Sequence, residues 1–448
     1  MKPYTPYVCR CCAVLLAVLL NLASGQARRA WKAVDVPSAV THVQPMTGLV
    51  LWPHQARALH GEYAEAIQLE FAYCLPCRVV TGCEADGTIR YDWRWFDDIL
   101  DDVASRGHQL VARFRYEYPG SRDVDRSVRG ATAVPQYIKE QPDYHETFND
   151  VEGDGPTFYA DWSNAELQRF TLQFYTDFAA RYAHDNRLAF LEVGFGHWSE
   201  YHIFGTSLEL GRNFPSKAFQ KRFFEHLQHV MTDIPWVVGI DAGERRYSPL
   251  PDDGSFAAMS FGLFDDSFMH RGHELSTGSG YNERMWQASG RGTRWQKGPC
   301  GGEVSYYDRR DQREFLNPEG LYGHTWEEQA GKYHLTFIIA NDAPSGPYGT
   351  AARFSQAGMA AGYRFCVTDC RTDGRQTQLT VTNRGIAPIY RDAFFAIGEE
   401  RSATSLRGLL PGDTITVSIA APLSGKKDAP PLRIVSDAIL PTQQIQFE

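Results

Sequence analysis

The sequence lacks the short signatures that would settle a chemistry at once. There is no Gly-x-Ser-x-Gly elbow, no Walker loop and no His-Glu-x-x-His, so serine-hydrolase, P-loop and zincin readings fail. Positive charge is also short: 45 Lys+Arg stand against 54 Asp+Glu, a formal charge of −9, which leaves no basic footprint for nucleic acid. Lysine is scarce at nine residues, so 36 of the basic residues are arginine, the better fork for carboxylate or sulfate groups. After residue 25 no segment approaches 18 consecutive apolar residues, so no stable membrane insertion is expected once the leader is removed. Internal repeats and low-complexity tracts are absent as well. What remains is 448 residues, 43% apolar and 22% charged, enough for one large barrel with an appendage.

Residues 1–25 read as a secretory signal. Lys2 and Arg10 form a basic start, Cys11–Ala23 is apolar, and small residues precede Gln26, where cleavage is expected. The protein is therefore expected to be secreted, periplasmic or at the cell surface. Beyond the signal are six cysteines: Cys74, Cys77, Cys83, Cys300, Cys366 and Cys370. An even number in an exported chain suggests disulfides, with Cys366–Cys370 a candidate local loop and Cys74-x-x-Cys77 a loop staple. No second Cys-x-x-Cys and no paired histidines complete a zinc set, so neither a metal nor another cofactor is expected.

From residue 45 to 355 short apolar runs alternate with amphipathic stretches, as in parallel strands joined by helices. The expected strands are Thr47–Trp52, Ala66–Ala72, Gln109–Tyr116, Ala189–Phe195, Trp236–Asp241, Ala257–Phe264, the neighbourhood of Gly301–Ser305, and Leu335–Asn341. Helices are expected over Tyr91–Ser105, with Trp95, Ile99 and Val103 on one face, over Ala165–Tyr182, and over Phe219–Met231. Eight strands in about 300 residues fit a (β/α)8 TIM barrel, whose functional groups lie at the carboxyl ends of the strands. Residues 26–44 form a lead-in. From 362 to 448 short strands separated by Gly, Pro and Asn predict a small antiparallel β-sandwich, accessory in role.

Two glutamates follow expected barrel strands. Glu200 lies in Leu-Glu-Val-Gly-Phe-Gly-His-Trp-Ser-Glu-Tyr-His, residues 191–202, and Glu303 in Gly-Pro-Cys-Gly-Gly-Glu-Val-Ser-Tyr-Tyr, residues 298–307, where glycines would let a ligand approach the backbone. Cleaving a glycosidic bond takes two carboxyl groups, one protonated and one ionised, and carboxyls on opposite walls of a barrel supply such a pair. Arg113 and Arg115 share one side of the third strand and need carboxylate or ligand partners; Glu192 and Glu70 are candidates for a structural pair. Trp52, Trp198, Tyr306 and Tyr307 are candidates for stacking on sugar faces. Tyr116, His202, Asp266 and Asn341 complete the candidate substrate contacts, while Asp241, Glu244, Asp265 and Asp342 also follow strands without a calcium-loop spacing. His334 reads as structural.

The run from Tyr91 to Tyr116 resembles the second and third barrel units of the beta-galactosidase-like and cellulase-like glycoside hydrolases of clan GH-A. That resemblance implies an acid/base after strand four and a nucleophile after strand seven, which map onto Glu200 and Glu303. The stretch Gly-Phe-Gly-His-Trp-Ser-Glu-Tyr-His (194–202) is also similar to the Gly-x-x-Gly-x-Trp-Gly-Glu-Trp-His signature of a largely uncharacterised family of secreted bacterial barrel proteins. That family's Gly-Gly-Glu matches Gly301-Gly302-Glu303, and the Gly-Tyr-Arg opening its C-terminal sandwich matches Gly362-Tyr363-Arg364. The departure is Ser199, which stands where clan GH-A has asparagine. The implied activity is retaining hydrolysis of a poly- or oligosaccharide, with Arg115 orienting Glu303 or binding an anionic sugar. Two alternatives stay open: a catalytically silent carbohydrate-binding barrel, and a polysaccharide lyase using Arg113, Arg115 and Tyr116.

Overall fold

The computed structural model describes residues 30–448 apart from 60, 152, 291, 341–345 and 425–428. The expected signal segment lies outside the described residues, as do Asn341 and Asp342. Eight parallel strands close a barrel: β1 (Gly48–Leu51), β2 (Leu69–Cys74), β3 (Gln109–Phe114), β4 (Leu188–Val193), β5 (Trp236–Gly239), β6 (Gly262–Phe268), β7 (Cys300–Val304) and β8 (Phe337–Ile339). Closure is by parallel pairing of β8 with β1, Ile338 opposite Leu49. The architecture is a (β/α)8 barrel with additional antiparallel sheets, and all eight expected strands are present, shifted by a few residues at their ends.

The largest shift is at the sixth strand. Residues 257–261 do not extend: Asp253 caps Ser255 through its side chain and starts a 3-10 turn, Gly254–Ala258, so the strand begins only at Gly262. Between β5 and β6 the chain makes two 3-10 turns instead of an α-helix. The other connections behave as their sequences dictate. Helix α1 (Arg94–Ala104) buries Phe96, Leu100 and Val103, one residue round from the face expected on Trp95 and Ile99. Helix α2 (Ala165–Tyr182) starts where Asn164 accepts from the Leu167 amide at 2.8 Å, and buries Leu167, Phe170, Phe174 and Phe178 at helical spacing. Helix α3 (Lys217–Val230) is capped by Ser216. Helices α4 (Tyr281–Gly290), α5 (Trp326–Tyr333) and α6 (Ala351–Met359) follow β6, β7 and β8.

Beyond α6 the chain forms β9 (Phe365–Thr372), β10 (Thr377–Asn383), β11 (Phe394–Ile397), β12 (Thr414–Ile419) and β13 (Leu432–Val435). Strands β9, β10 and β12 make one antiparallel sheet, which Lys32–Ala33 from the lead-in extends beside β9; β11 and β13 belong to a second sheet. Leu379, Val381 and Val417 of one sheet share a core with Phe395 and Ile434 of the other. That core runs on through Tyr363 and Phe365 into the barrel floor at Met46, Leu69, Phe71, Phe190 and Phe337. Gln109 and Asn186 at the amino ends of β3 and β4 donate to the carbonyls of Ala438 and Ile439. The sandwich thus plugs the amino-terminal end of the barrel and leaves the carboxyl-terminal end open. Among the described residues no helix is long and apolar enough to cross a membrane.

The disulfide expectation is overturned. All six described cysteines are free thiols. Cys366 and Cys370 lie on β9 on either side of a bulge, opposite Thr382 and Leu379, so their Cα atoms are roughly 10 Å apart at strand rise, beyond disulfide reach. Cys74 ends β2 with its thiol buried, and Cys77 is carried off on the following turn, Pro76–Val79. Alkylation of the protein unfolded without reductant should therefore place a label on both Cys366 and Cys370 in the same peptide; an unlabelled, oxidised pair there would contradict the strand assignment.

Candidate active site

The carboxyl ends of β3, β4, β6 and β7 converge on one buried cation. Arg113, on β3 and 1% exposed, donates from Nε to Glu192 at 2.5 Å and from Nη1 and Nη2 to Asp266 at 2.5 and 3.1 Å. The same Nη1 donates to the Trp198 carbonyl at 3.1 Å and lies 4.0 Å from Glu200 Oε1. Phe264, Phe71 and Tyr73 surround the guanidinium, Phe264 at 4.1 Å. Of the two partners the sequence offered, Glu192 is the one used; Glu70 faces the other way and binds Arg106 and His108. A guanidinium this deep is tolerated because every direction of its fork meets an oxygen or a ring face.

Glu200 is presented by a strained turn. The Glu200 amide bonds the His197 carbonyl at 2.8 Å, and the two central residues, Trp198 and Ser199, have φ of 54° and 65°. Positive φ at both centres is the geometry of a type I′ turn, which normally calls for Gly or Asn. Ser199 helps hold it: its buried hydroxyl donates to the Phe114 carbonyl at 2.8 Å, so it does not point at a ligand. The loop folds back tightly, since Cβ atoms at Gly194 and Gly196 would strike the Ser199 and His202 carbonyls. At the second motif the glycines likewise serve packing. A Cβ on Gly301 would enter the Phe337 ring and one on Gly302 would meet the Asp265 carbonyl, which corrects the expectation that these glycines make room for a ligand.

Glu303 is 7% exposed on β7, and its Oε1 has no hydrogen-bond partner among the described residues. Opposite it, β6 carries a bulge: Asp265 pairs with Gly302 and Phe268 with Val304, so Asp266 and Ser267 together face the single residue Glu303. Strand alternation splits the Asp265–Asp266 doublet. Asp265 turns into the helical layer, where His273, Asn282 and Trp286 bind it, whereas Asp266 turns to Arg113.

The carboxyl groups differ in their neighbours. Burial pushes Glu200 well above the ordinary carboxyl range, and the negative charges of Asp266 and Asp241 push it further. Burial and Asp266 raise Glu303 well above that range too, with a smaller push from Glu192; Arg113 favours the anion of both glutamates, and the Tyr306 hydroxyl favours that of Glu303 alone. Glu192 is raised by burial to about 7 despite Arg113.

Aromatic rings line the strands beside these acids. Trp52 meets Tyr73 at 5.5 Å, Tyr73 meets Tyr118 edge-on at 5.5 Å, and Tyr118 meets Trp198 at 6.2 Å. Tyr306, 57% exposed, lies beside both Trp52 and Glu303, and Tyr307 is 77% exposed above His270. Tyr73 and Tyr118 were missed from sequence, although both stand at or just past a strand end, in Phe-Ala-Tyr-Cys and Tyr-Glu-Tyr-Pro.

Two candidates fall away. The Tyr116 hydroxyl bonds Thr171 on α2 at 3.0 Å and its ring packs on Trp162, so it belongs to the outer layer, and a lyase reading loses its base. Arg115 does not orient Glu303: its guanidinium pairs with Asp123 and lies over Tyr73 and Tyr118. His334 is structural, stacked on Trp295 and bonded to the Ile386 carbonyl.

Glu200, His202 and Asp241 form the cluster nearest to a metal-ligand set among the described residues. His202 Nδ1 is 2.6 Å from Asp241 Oδ2, and the Tyr281 hydroxyl donates to the other Asp241 oxygen at 3.2 Å. With metal–ligand bonds of about 2.0–2.1 Å, ligands 2.6 Å apart would subtend an angle near 80°, well below tetrahedral. The cluster is a hydrogen-bonded chain ending 3.6 Å from Glu200 Oε2.

No family model matches the chain, and no curated protein matches it. Among solved structures it is similar to endo-glycoceramidase II from Rhodococcus sp. in complex with ganglioside GM3 (15% identity, 88% of this chain and 100% of that one, TM-score 0.45). It is also similar to the catalytic domain of a beta-amylase from Paenibacillus polymyxa (11% identity, 70% and 99%, TM-score 0.42). A third is a family 39 glycoside hydrolase from Bacteroides cellulosilyticus WH2 (12% identity, 87% and 83%, TM-score 0.39).

Removing the cation should unfold the site. Arg113→Ala leaves Glu192 and Asp266 buried without their partner, at a cost of about 3–5 kcal/mol in urea unfolding. A loss below about 1 kcal/mol would mean that the acids do not depend on it.

Proposed function

We propose that the protein is an exported retaining glycoside hydrolase acting on a poly- or oligosaccharide, with Glu200 as acid/base and Glu303 as nucleophile. The observation that carries this reading is the contrast between the neighbours of the two glutamates. Burial and Asp266 stand against the anion of both and Arg113 favours it; Glu200 faces Asp241 besides, whereas Glu303 faces the more weakly acting Glu192 and has a hydroxyl, Tyr306, favouring its anion. In a coupled acidic cluster the shared proton then resides on Glu200.

In the first step Glu303 Oε1 attacks the anomeric carbon, the glycosidic C–O bond breaks, and the Glu200 proton passes to the departing oxygen. Glu200, now ionised, removes a proton from water as that water displaces Glu303, which returns both groups to their starting states. The rings of Trp52, Tyr73, Tyr118 and Trp198 offer apolar faces for the sugar. Arg113, the cation beside the two glutamates, is already paired with Glu192 and Asp266, while Arg115 gives only Nη2 to Asp123, so a neutral sugar at the cleavage point suits the charge around Arg113 better.

On a panel of neutral and uronate-containing glycans, release of reducing ends should be confined to the neutral ones. Glu303→Ala should abolish turnover on every substrate. Glu200→Ala should lose about 10²–10⁴-fold on natural glycans but much less on glycosides with activated leaving groups, with azide partly restoring the second step. Equal loss on both substrate types, or undiminished activity in Glu303→Ala, would overturn the assignment.

A further inference from the structure

We propose that Asp266 is a positioning residue that keeps the acid/base proton on Glu200, its carboxylate being pinned beside that glutamate by Arg113 and by its inward place on β6. This deepens the hydrolase reading and rests on it for its catalytic meaning, while its physical content concerns one proton and stands apart from turnover.

The geometry comes from two independent features. First, a single guanidinium nitrogen, Arg113 Nη1, sits 2.5 Å from Asp266 Oδ2 and 4.0 Å from Glu200 Oε1, so both acids crowd one cation. That cation is not free to neutralise both, because Nε and Nη2 also serve the fully buried Glu192. One positive charge thus faces three acids, and a fourth, Glu303, lies across the bulge. A buried group of this composition ionises completely only at great cost, so it retains protons near neutrality. Second, strand alternation supplies Asp266: Phe264 faces the barrel interior over Arg113, Asp265 faces the helical layer, and Asp266 returns to the inside beside Arg113. The bulge that follows sets Asp266 and Ser267 together opposite Glu303.

The contacts with the arginine separate the two acids. Asp266 takes two arginine hydrogen bonds, whereas Glu200 stands at the edge of ion-pair distance and faces Asp241 in the 3-10 turn after β5 as well as Asp266 on β6. The remaining groups around Glu200 are His202, 3.6 Å away and turned to Asp241, then Glu192, Glu303, Tyr73 and Tyr307. Of these the anion of Asp266 is the nearest charge fixed in place by an arginine.

The test is a carbon-13 NMR titration of the full chain with glutamate labelled at the side-chain carboxyl, the Glu200 resonance being assigned with Glu200→Gln. In the native protein Glu200 should titrate above the ordinary carboxyl range. In Asp266→Asn its midpoint should fall by about one pH unit or more, because one fixed negative charge is gone and Arg113 is less compensated. Asp266→Glu, which keeps the charge, should hold the raised midpoint, a rescue that a packing role would not produce. If Asp266→Asn does not fold, Asp266→Ser serves the same comparison. A Glu200 midpoint unchanged in the neutral variant would overturn the proposal. Because the titration needs no substrate, that outcome is distinct from failure of the hydrolase reading, which would appear as no hydrolysis by a native protein whose Glu200 still titrates high.

Discussion

Burying an arginine side chain among carboxylates at the mouth of a barrel is the constraint on which the rest of this structure depends. Arg113 alone would be prohibitive in that position, and so would Glu192 and Asp266. Together they fix one another, and they fix more than themselves. The Trp198 carbonyl is tied to the same guanidinium, so the strained turn that presents Glu200 is anchored to β3 by a side chain as well as by the Ser199 hydroxyl. Alternation along β6 is the complementary feature, since it lets Asp266 reach the arginine while Asp265 serves the helical layer. Three strands, β3, β4 and β6, are tied at their carboxyl ends by polar contacts, and the apolar floor continuous with the sandwich holds the barrel at the other end.

This division of labour leaves the open end of the barrel free for chemistry. Stability can be concentrated below, where Phe190 and Phe337 stack and the core continues into the two antiparallel sheets. Strain can then be tolerated above, at Trp198 and Ser199, and in the crowding of Glu192, Glu200, Asp266 and Glu303 around one cation. The proposed mechanism uses that crowding directly: an acid that must remain protonated is placed where full ionisation is costly.

Much of the scaffold was legible in the sequence because strand alternation and helical spacing are local signals. The α2 segment is a case in point, its boundaries set by the Asn164 cap and its inner face by apolar residues at helical spacing. The failures came where the deciding contact is distant in sequence. Nothing local shows that Phe337 fills the space beside Gly301, or that Asp123 rather than Glu303 receives Arg115. The reach of Tyr116 to Thr171 depends on how α2 docks, and the cysteine pair Cys366–Cys370 looked bridgeable only until β9 extended it. Alternation did place Arg113 inward and offered Glu192 as its partner. It also chose Asp266 over Asp265 for the site, and along β6 Phe264 and Asp266 do face inward while Asp265 faces the helical layer.

The central claim is that Glu303 forms a covalent bond to the sugar while Glu200 carries the proton. The most direct measurement is to incubate the protein with an activated 2-deoxy-2-fluoro glycoside of a sugar that it cleaves, which slows release of the intermediate, and to locate the label by peptide mass spectrometry. The account predicts one sugar per chain, attached to the peptide containing Glu303. A label on Glu200 or Asp266, or turnover of the native substrate with inverted configuration and no trapped species, would contradict it.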